Sequence, residues 1–206
     1  MKYLKMLGLA AVAAAALMAI LGASTASATV ICKNNLNTEK CSEPYAIGTK
    51  GTASLEKGTS LVLTDTEGES LDTCKESTVT GVLKSQGSGV PALSELSSLT
   101  WGGCNFPTTT VNPGSGELTW IKGTDNGTLV THNTQVTINT IFFGTCSYGT
   151  GASLDMGTTV GGNPGSLTIN TVIHKLEGSN FACPETTKLT AKYVATSPTA
   201  GWVSNA

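Results

Sequence analysis

The sequence predicts an all-β protein: an antiparallel β-sandwich of jelly-roll or immunoglobulin-like type, disulfide-stapled and preceded by an N-terminal signal peptide. Several segments alternate apolar and polar residues with a period of two, which is typical of strands with one buried face. The 206 residues include 24 Gly and 33 Thr, and β-branched residues such as Thr suit a pleated sheet. Six cysteines on a chain that begins with an export signal indicate disulfides, because the extracytoplasmic space is oxidising.

Residues 1–28 have the three-part layout of a secretory signal peptide. Lys2 and Lys5 provide a positive start, residues 7–21 are almost entirely apolar, and Ala26-Ser27-Ala28 is a small-residue cleavage site. The apolar stretch is shorter than the ~20 residues that span a bilayer, and no second long apolar run follows. We therefore expect a mature protein that is secreted or in the cell envelope, with no membrane span.

The mature chain divides into a polar extension, residues 29–59, and a domain, residues 60–206. The extension contains Asn34-Asn35, Pro44 and several glycines, which predicts a cross-linked loop or a short edge strand. Within the domain, residues 91–99 are expected to hold one helical turn, and Asn126-Gly127 favours a tight hairpin turn. The predicted strands cover residues 61–64, 72–83, 99–101, 114–122, 128–132, 134–143, 167–176 and 188–195.

The alternation also predicts which side chains face the core. No window of the mature chain keeps a helical period for three turns, so these positions are chosen from the strand period alone. The predicted inward residues are Leu61, Leu63, Val79, Leu83, Leu118, Trp120, Val136, Ile138, Phe142, Leu167, Ile169, Ile173, Leu189 and Tyr193.

The cysteines indicate disulfides rather than a metal centre. No two of them are closer than nine residues, whereas zinc sites use closely spaced cysteine pairs or Cys/His clusters. Six cysteines allow about 15 pairings, and the sequence alone leaves them open. Chain proximity favours the pairs Cys32–Cys41, Cys74–Cys104 and Cys146–Cys183.

The charge balance argues against a nucleic-acid-binding protein. The chain has 12 Lys, no Arg and a net charge of −2, whereas proteins that bind phosphate backbones carry a basic surplus. Phosphate-loop, dinucleotide and haem motifs are absent, so no cofactor is expected.

The candidates for catalysis are the two histidines, His132 and His174. A secreted hydrolase would need one of them beside a serine and an acid. No nucleophile-elbow motif of the Gly-x-Ser-x-Gly type is present, and both histidines lie on the polar side of predicted strands. We therefore expect no enzyme and no catalytic residue, with a hydrolase kept as an alternative.

An acidic run from Asp65 to Asp72, which includes Glu67 and Glu69, is the candidate for a cation site. Carboxylates at alternate positions suit Ca²⁺, but the run lacks the spacing of an EF-hand. A solvated acidic hairpin is the simpler interpretation, and no metal site is predicted.

Three tryptophans, Trp101, Trp120 and Trp202, are candidates for ligand binding. Exposed flat rings on a β-sandwich would stack on sugar rings. Through such rings the protein could bind a polysaccharide of the cell envelope. A carbohydrate-binding module therefore requires at least two such rings exposed in a line. The other interpretation is that each tryptophan anchors the core.

Several short motifs resemble those of a known group of proteins. They are Cys74-x-Glu76-Ser77-x-Val79-x-Gly81, Trp101-x-x-Cys104, Gly116-x-Leu118-x-Trp120, Gly123-Thr-Asp-Asn-Gly-Thr128 and Thr190-Ala-Lys-Tyr193-Val194-x-Thr196-Ser197-Pro198. Over roughly residues 60–200 the chain resembles small, exported, uncharacterised proteins of actinobacteria. The exported Thr/Gly-rich β pattern is also similar to the alkane-oxidation activator family. The first resemblance implies export and a β-rich fold, and neither assigns functional residues.

Together these observations predict a non-catalytic secreted or envelope-associated protein that acts by surface binding. The alternatives are a carbohydrate-binding module and a secreted hydrolase. Exposure of the tryptophans and the neighbours of the histidines separate the three.

Overall fold

The computed structural model describes residues 28–34, 40–87 and 89–206, without the side chains of Thr110 and Val111. The predicted signal peptide, residues 1–28, lies outside the described residues except for Ala28. The described residues contain no helix long and apolar enough to cross a membrane.

The described chain is built from antiparallel strands joined by turns, so the all-β prediction is confirmed. The strands are β1 (Thr29–Cys32), β2 (Lys50–Leu55), β3 (Leu61–Thr64), β4 (Ser70–Gly87), β5 (Val90–Cys104), β6 (Thr108–Asn112), β7 (Ser115–Trp120), β8 (Gly127–His132), β9 (Gln135–Thr140), β10 (Gly144–Gly149), β11 (Leu154–Val160), β12 (Ser166–Lys175), β13 (Thr186–Ser197) and β14 (Trp202–Asn205).

The sheet closes into an eight-strand barrel, which differs from the predicted sandwich. Around the barrel the order is β4, β5, β7, β8, β11, β12 and β13, and the eighth position is shared by β2 and β3. Both short strands pair with β13 on one side and β4 on the other, β3 through Leu63 and β2 through Ala53. Because the barrel is closed, each barrel strand is paired on both sides. The open edges that a sandwich would keep are therefore absent from the barrel.

A smaller sheet continues the barrel wall at one end. Near Ser166–Ile169, β12 pairs with β11, but at His174 and Lys175 it pairs with β10 instead. The sheet then runs from β10 to β9 and β6. At the other end, β1 pairs with β14 and touches β4 at Thr29. The two ends of the barrel are therefore covered by different strands.

Most predicted inward residues lie in the core. Leu61, Leu63, Leu83, Trp120, Val136, Ile138, Ile169, Ile173, Leu189 and Tyr193 are buried, and Val79, Leu118 and Leu167 are half-buried. The prediction for Phe142 is wrong, because its side chain is 81% exposed. Strand β9 ends at Thr140, so Phe142 lies in the turn before β10, where the strand alternation no longer applies.

Two further expectations differ from the structure. The helical turn predicted at 91–99 is wrong: these residues belong to β5, which pairs with β4 and with β7. Hydrogen bonding to strands on both sides overrides the weak local helix preference. The extension 29–59 contains β2, which pairs on both sides as a barrel strand. The predicted hairpin does join β7 to β8, but the tight turn predicted at Asn126-Gly127 is wrong. The connection runs from Ile121 to Asn126 with its positive φ at Gly123, and Gly127 already belongs to β8.

Candidate functional site

The barrel interior contains a partly open, apolar cavity of about 150 Å³. Its wall is formed mainly by aliphatic and aromatic side chains. Leu61, Trp101, Met156 and Ile169 come from barrel strands, and Val136 comes from β9 in the smaller sheet. None of the described residues that line it is charged. The strand alternation explains this composition. In a closed barrel every second residue of a strand points inward, and these inward residues are the apolar ones.

Six of the residues that line the cavity carry a hydroxyl group, and they fall into two classes. Four hydroxyls have a protein partner. Tyr193 bonds Ser77 at 2.8 Å, Thr134 donates to Pro113 O at 3.0 Å, Thr150 accepts from Thr134 N at 3.1 Å, and Ser94 donates to Gly116 O at 3.3 Å.

The other two hydroxyls, Tyr148 Oη and Thr131 Oγ1, are buried without a hydrogen-bond partner. Tyr148 is 1% exposed and Thr131 is 6% exposed. Such groups are rare in native proteins because their desolvation is not compensated. This pair is the most unusual polar feature of the barrel interior.

Both buried tyrosines of the cavity wall keep their protons at neutral pH. Burial raises the pKa of Tyr148 to about 12, and the negative charge of Glu185 adds to this effect. Burial also raises the pKa of Tyr193 to about 12, partly opposed by its bond to Ser77. Each phenol therefore keeps its proton, and the Tyr193 proton is already engaged with Ser77.

Two more cavities adjoin the first at the barrel end near β1 and β14. One, of about 290 Å³, shares Val79 and Leu96 with the central cavity, and the other, of about 180 Å³, shares Leu167 with it. Ile31 of β1 lines both outer cavities. Tyr45 donates a hydrogen bond to Ala200 O at 2.8 Å and so joins two segments that line the larger one.

The three tryptophans do not form a row of exposed rings. Trp120 is buried, and its Nε1 donates to Thr124 O at 2.6 Å. Trp202 is half-buried, and Trp101 is half-buried in the wall of the central cavity. Trp101 therefore belongs to the barrel interior rather than to a sugar-stacking surface.

Neither histidine has the neighbours that a hydrolytic triad requires, a serine on one side and an acid on the other. His132 places Nδ1 2.7 Å from Ala152 O and Nε2 3.4 Å from Glu117 Oε2. His174 is exposed. Within the described chain, no serine hydroxyl hydrogen-bonds either ring. The structure thus brings an acid to His132 but no nucleophile.

The acidic run does not gather its carboxylates around one point. Asp65 Oδ1 accepts hydrogen bonds from the backbone of Glu67 and Glu69, both at 2.9 Å, and so closes the β3–β4 turn. Asp72 is buried and accepts from Phe106 N at 3.2 Å and Thr108 Oγ1 at 2.6 Å. These bonds give Asp65 and Asp72 structural roles.

One cluster of potential metal-ligating side chains occurs among the described residues. It consists of Asp72, Cys74 and Cys104, whose ligand atoms lie within 4.8 Å of one another. The two sulfurs are bonded to each other, so neither is a thiolate that could bind a metal ion. The cluster is therefore a disulfide beside a hydrogen-bonded carboxylate.

All three disulfides have the pairing that chain proximity favours. Cys32 is bonded to Cys41, Cys74 to Cys104, and Cys146 to Cys183. The second joins neighbouring strands β4 and β5, and the third ties β10 to the segment between β12 and β13. No free cysteine is present in the described chain.

Sequence reasoning missed the two residues that distinguish the site. Thr131 lies in β8 and Tyr148 in β10, both in strands of six residues. The available signal was the alternation of Cys146 and Tyr148, which places both on one strand face. The resemblance to exported actinobacterial proteins and to the alkane-oxidation activator family stays a prediction, since protein-family models, curated proteins and solved structures show no match to this chain.

Proposed function

We propose that the protein is a non-catalytic, exported binding protein that holds a small apolar molecule inside its barrel. The observation that carries the proposal is the central cavity of about 150 Å³, with its uncharged and mainly apolar wall. Eight-strand barrels have interiors wide enough to hold one small ligand. The three disulfides support export, since such bonds persist in oxidising compartments.

The size of the cavity favours a ligand over an accidental packing defect. Native cores contain few voids larger than a water molecule. At about 24 cal/mol per Å³, an empty cavity of 150 Å³ would cost roughly 3–4 kcal/mol, a large share of a typical domain stability of about 5–15 kcal/mol. An engineered apolar cavity of about this volume binds benzene. A benzene-sized molecule is thus the natural occupant.

The barrel interior is a better candidate than the outer surface for the binding role predicted from the sequence. A carbohydrate-binding module requires aligned exposed rings, and Trp101 faces the cavity instead. A hydrolase requires a nucleophile at a histidine, and His132 contacts Ala152 and Glu117. Neither alternative has a specific observation in its favour.

Toluene is a suitable first probe, because it matches the cavity in size and has no polar group. We expect it to raise the melting temperature in proportion to RT ln(1 + [L]/Kd) and to shift the NMR signals of methyl groups that line the cavity, such as Ile169. Val136→Phe and Leu129→Phe, which place a larger side chain in the cavity wall, should abolish both effects.

Val172→Phe is the matched control, because Val172 is 45% exposed on β12 and faces away from the cavity. This variant should bind toluene like the unchanged protein. If toluene leaves the melting temperature and the methyl signals unchanged, or if both cavity variants bind it normally, the proposed function is wrong.

A further inference from the structure

Going beyond the proposed function, we infer that the protein docks on the surface of a zwitterionic lipid bilayer through an apolar tip at the end of the smaller sheet. The tip consists of two turns, residues 140–144 between β9 and β10 and residues 179–183 between β12 and β13. Its exposed apolar side chains are Ile141, Phe142 and Phe181.

These three side chains are the most exposed large apolar groups among the described residues. Phe181 is 93% exposed, Ile141 is 83% exposed and Phe142 is 81% exposed. The others, with Ile47 at their head, are at most 64% exposed. Single exposed apolar side chains are normal on a folded protein, but three that lie almost entirely in solvent on one tip indicate an interaction site.

The two turns of the tip are held together by the fold. Asn180 N donates a hydrogen bond to Thr145 O at 3.0 Å, and the disulfide between Cys146 and Cys183 joins the same two segments. Half-buried Phe143 packs against the core and anchors the first turn. The exposed side chains are next to these contacts in sequence, so both turns present them at the same end of the molecule.

The size and charge of the tip favour a bilayer over a second protein. A stable protein interface takes about 800 Å² from each partner, whereas three side chains of this size supply about 500 Å² in total. Residues 133–154 and 178–184 contain no charged residue, so neither turn carries a group that attracts anionic headgroups. Glu177 and Glu185 flank the second turn, and Glu185 is paired with Lys175. Insertion below neutral headgroups requires apolar area alone.

A bilayer also suits the proposed ligand. The β9–β10 hairpin carries the first turn of the tip at one end, and its Val136 and Tyr148 line the central cavity. A small apolar molecule prefers the hydrocarbon of a bilayer to water. Docking through the tip therefore brings the barrel to the phase in which its ligand dissolves.

Co-sedimentation with phosphatidylcholine vesicles measures the docking, with the mature protein that lacks the predicted signal peptide. Phe142→Ser/Phe181→Ser should bind more weakly by about tenfold for each phenylalanine removed, the low end for burial of this side chain. Ile47→Ser/Val172→Ser is the matched control, because it removes two exposed apolar side chains outside the tip, and it should bind like the unchanged protein. Raising NaCl from about 0.1 M to about 0.5 M should change binding less than about twofold.

Phosphatidylcholine with brominated acyl chains locates the contact. In Phe142→Trp the added indole should be quenched by these lipids, beyond any quenching of the three native tryptophans. In Ile47→Trp the added indole should not be quenched.

The inference is overturned if the unchanged protein does not bind zwitterionic vesicles, or if the tip and control variants bind equally. Self-association that Phe142→Ser/Phe181→Ser abolishes, without vesicle binding, would assign the tip to a contact between two copies instead. Neither phenylalanine lines the central cavity, so the tip variant should bind toluene normally. Failure of docking would therefore leave the proposed function intact, and failure of toluene binding would leave the docking inference intact.

Discussion

Loss of a phenolic hydroxyl is expected to change stability in opposite directions at the two tyrosines of the barrel interior. Tyr148→Phe removes a buried hydroxyl that has no partner, and such a group costs about 1–3 kcal/mol. The free energy of unfolding should therefore rise by about 1 kcal/mol, at the low end of that range. Tyr193→Phe removes a bond of 2.8 Å to Ser77 and should lower stability by about 0.5–1.5 kcal/mol.

The two substitutions are closely matched, because both residues line the same cavity and both are almost fully buried. Ser77 keeps its bond to Thr100 O after Tyr193→Phe, which limits the loss to one hydrogen bond. The difference between the variants is then about 2 kcal/mol, or roughly 4–8 °C in melting temperature for a chain of this size.

Urea unfolding of the ligand-free proteins, followed by circular dichroism, measures this difference directly. The slope of free energy against urea should be the same for all three proteins, because the surface exposed on unfolding hardly changes. If both variants are destabilised by similar amounts, the Tyr148 hydroxyl has a partner in the free protein, and the reasoning about unsatisfied groups fails.

Three further predictions concern cross-links, pH and backbone shape. Replacing Cys146 and Cys183 together by Ala opens a loop with a sequence separation of 37 and should lower the urea-derived free energy of unfolding by about 2–4 kcal/mol. Equal unfolding midpoints would contradict this. Stability should fall as pH rises from about 10 to about 12, because Tyr148 and Tyr193, both with a pKa of about 12 in the fold, ionise earlier when unfolded. A flat melting temperature across that window would argue against it. Gly157→Ala should lower the free energy of unfolding by about 2–3 kcal/mol, because Gly157 has φ +145° and an added Cβ would collide with a backbone carbonyl of β12. An unchanged melting temperature would contradict this and show that the strand can adjust.

The individual strands were largely predictable, whereas their closure was not. Ile169 lies between Thr168 and Asn170, and Leu189 lies between Lys188 and Thr190. This local alternation identifies the buried face of each strand. The sandwich and the barrel share that period. The two folds differ in which strands meet at the sheet edges. In the barrel, β2 and β3 share one position because both pair with β13, which is far from them in sequence.

The missed part of β5 has a specific physical cause. Residues 92–96 are Ala-Leu-Ser-Glu-Leu, a composition that a short helix tolerates well. In the fold, Leu93 pairs with Ser85 of β4 and with Glu117 of β7. Hydrogen bonding on both sides determines the strand, and a single sequence does not reveal these partners.

The candidate site was harder to predict than the fold. The sequence allows Trp101 to be either a stacking ring or a core anchor, and in the fold it forms part of the cavity wall. Tyr148 and Thr131 are distinguished only by what they lack, a hydrogen-bond partner. That property depends on all the groups packed around them and is invisible in a local pattern.

The shared position of β2 and β3 has a consequence for folding kinetics. Leu63 pairs with Leu189 and Ala53 with Ala195, so the closing contacts join distant parts of the chain. Chains dominated by such non-local pairings fold slowly, because loop-closure entropy is lost before the contacts form. Until β13 docks, one side of β2, β3 and β12 stays unpaired and open to pairing with other chains. We expect refolding on the scale of milliseconds to seconds, with docking of β13 as the step that ends the period of aggregation risk.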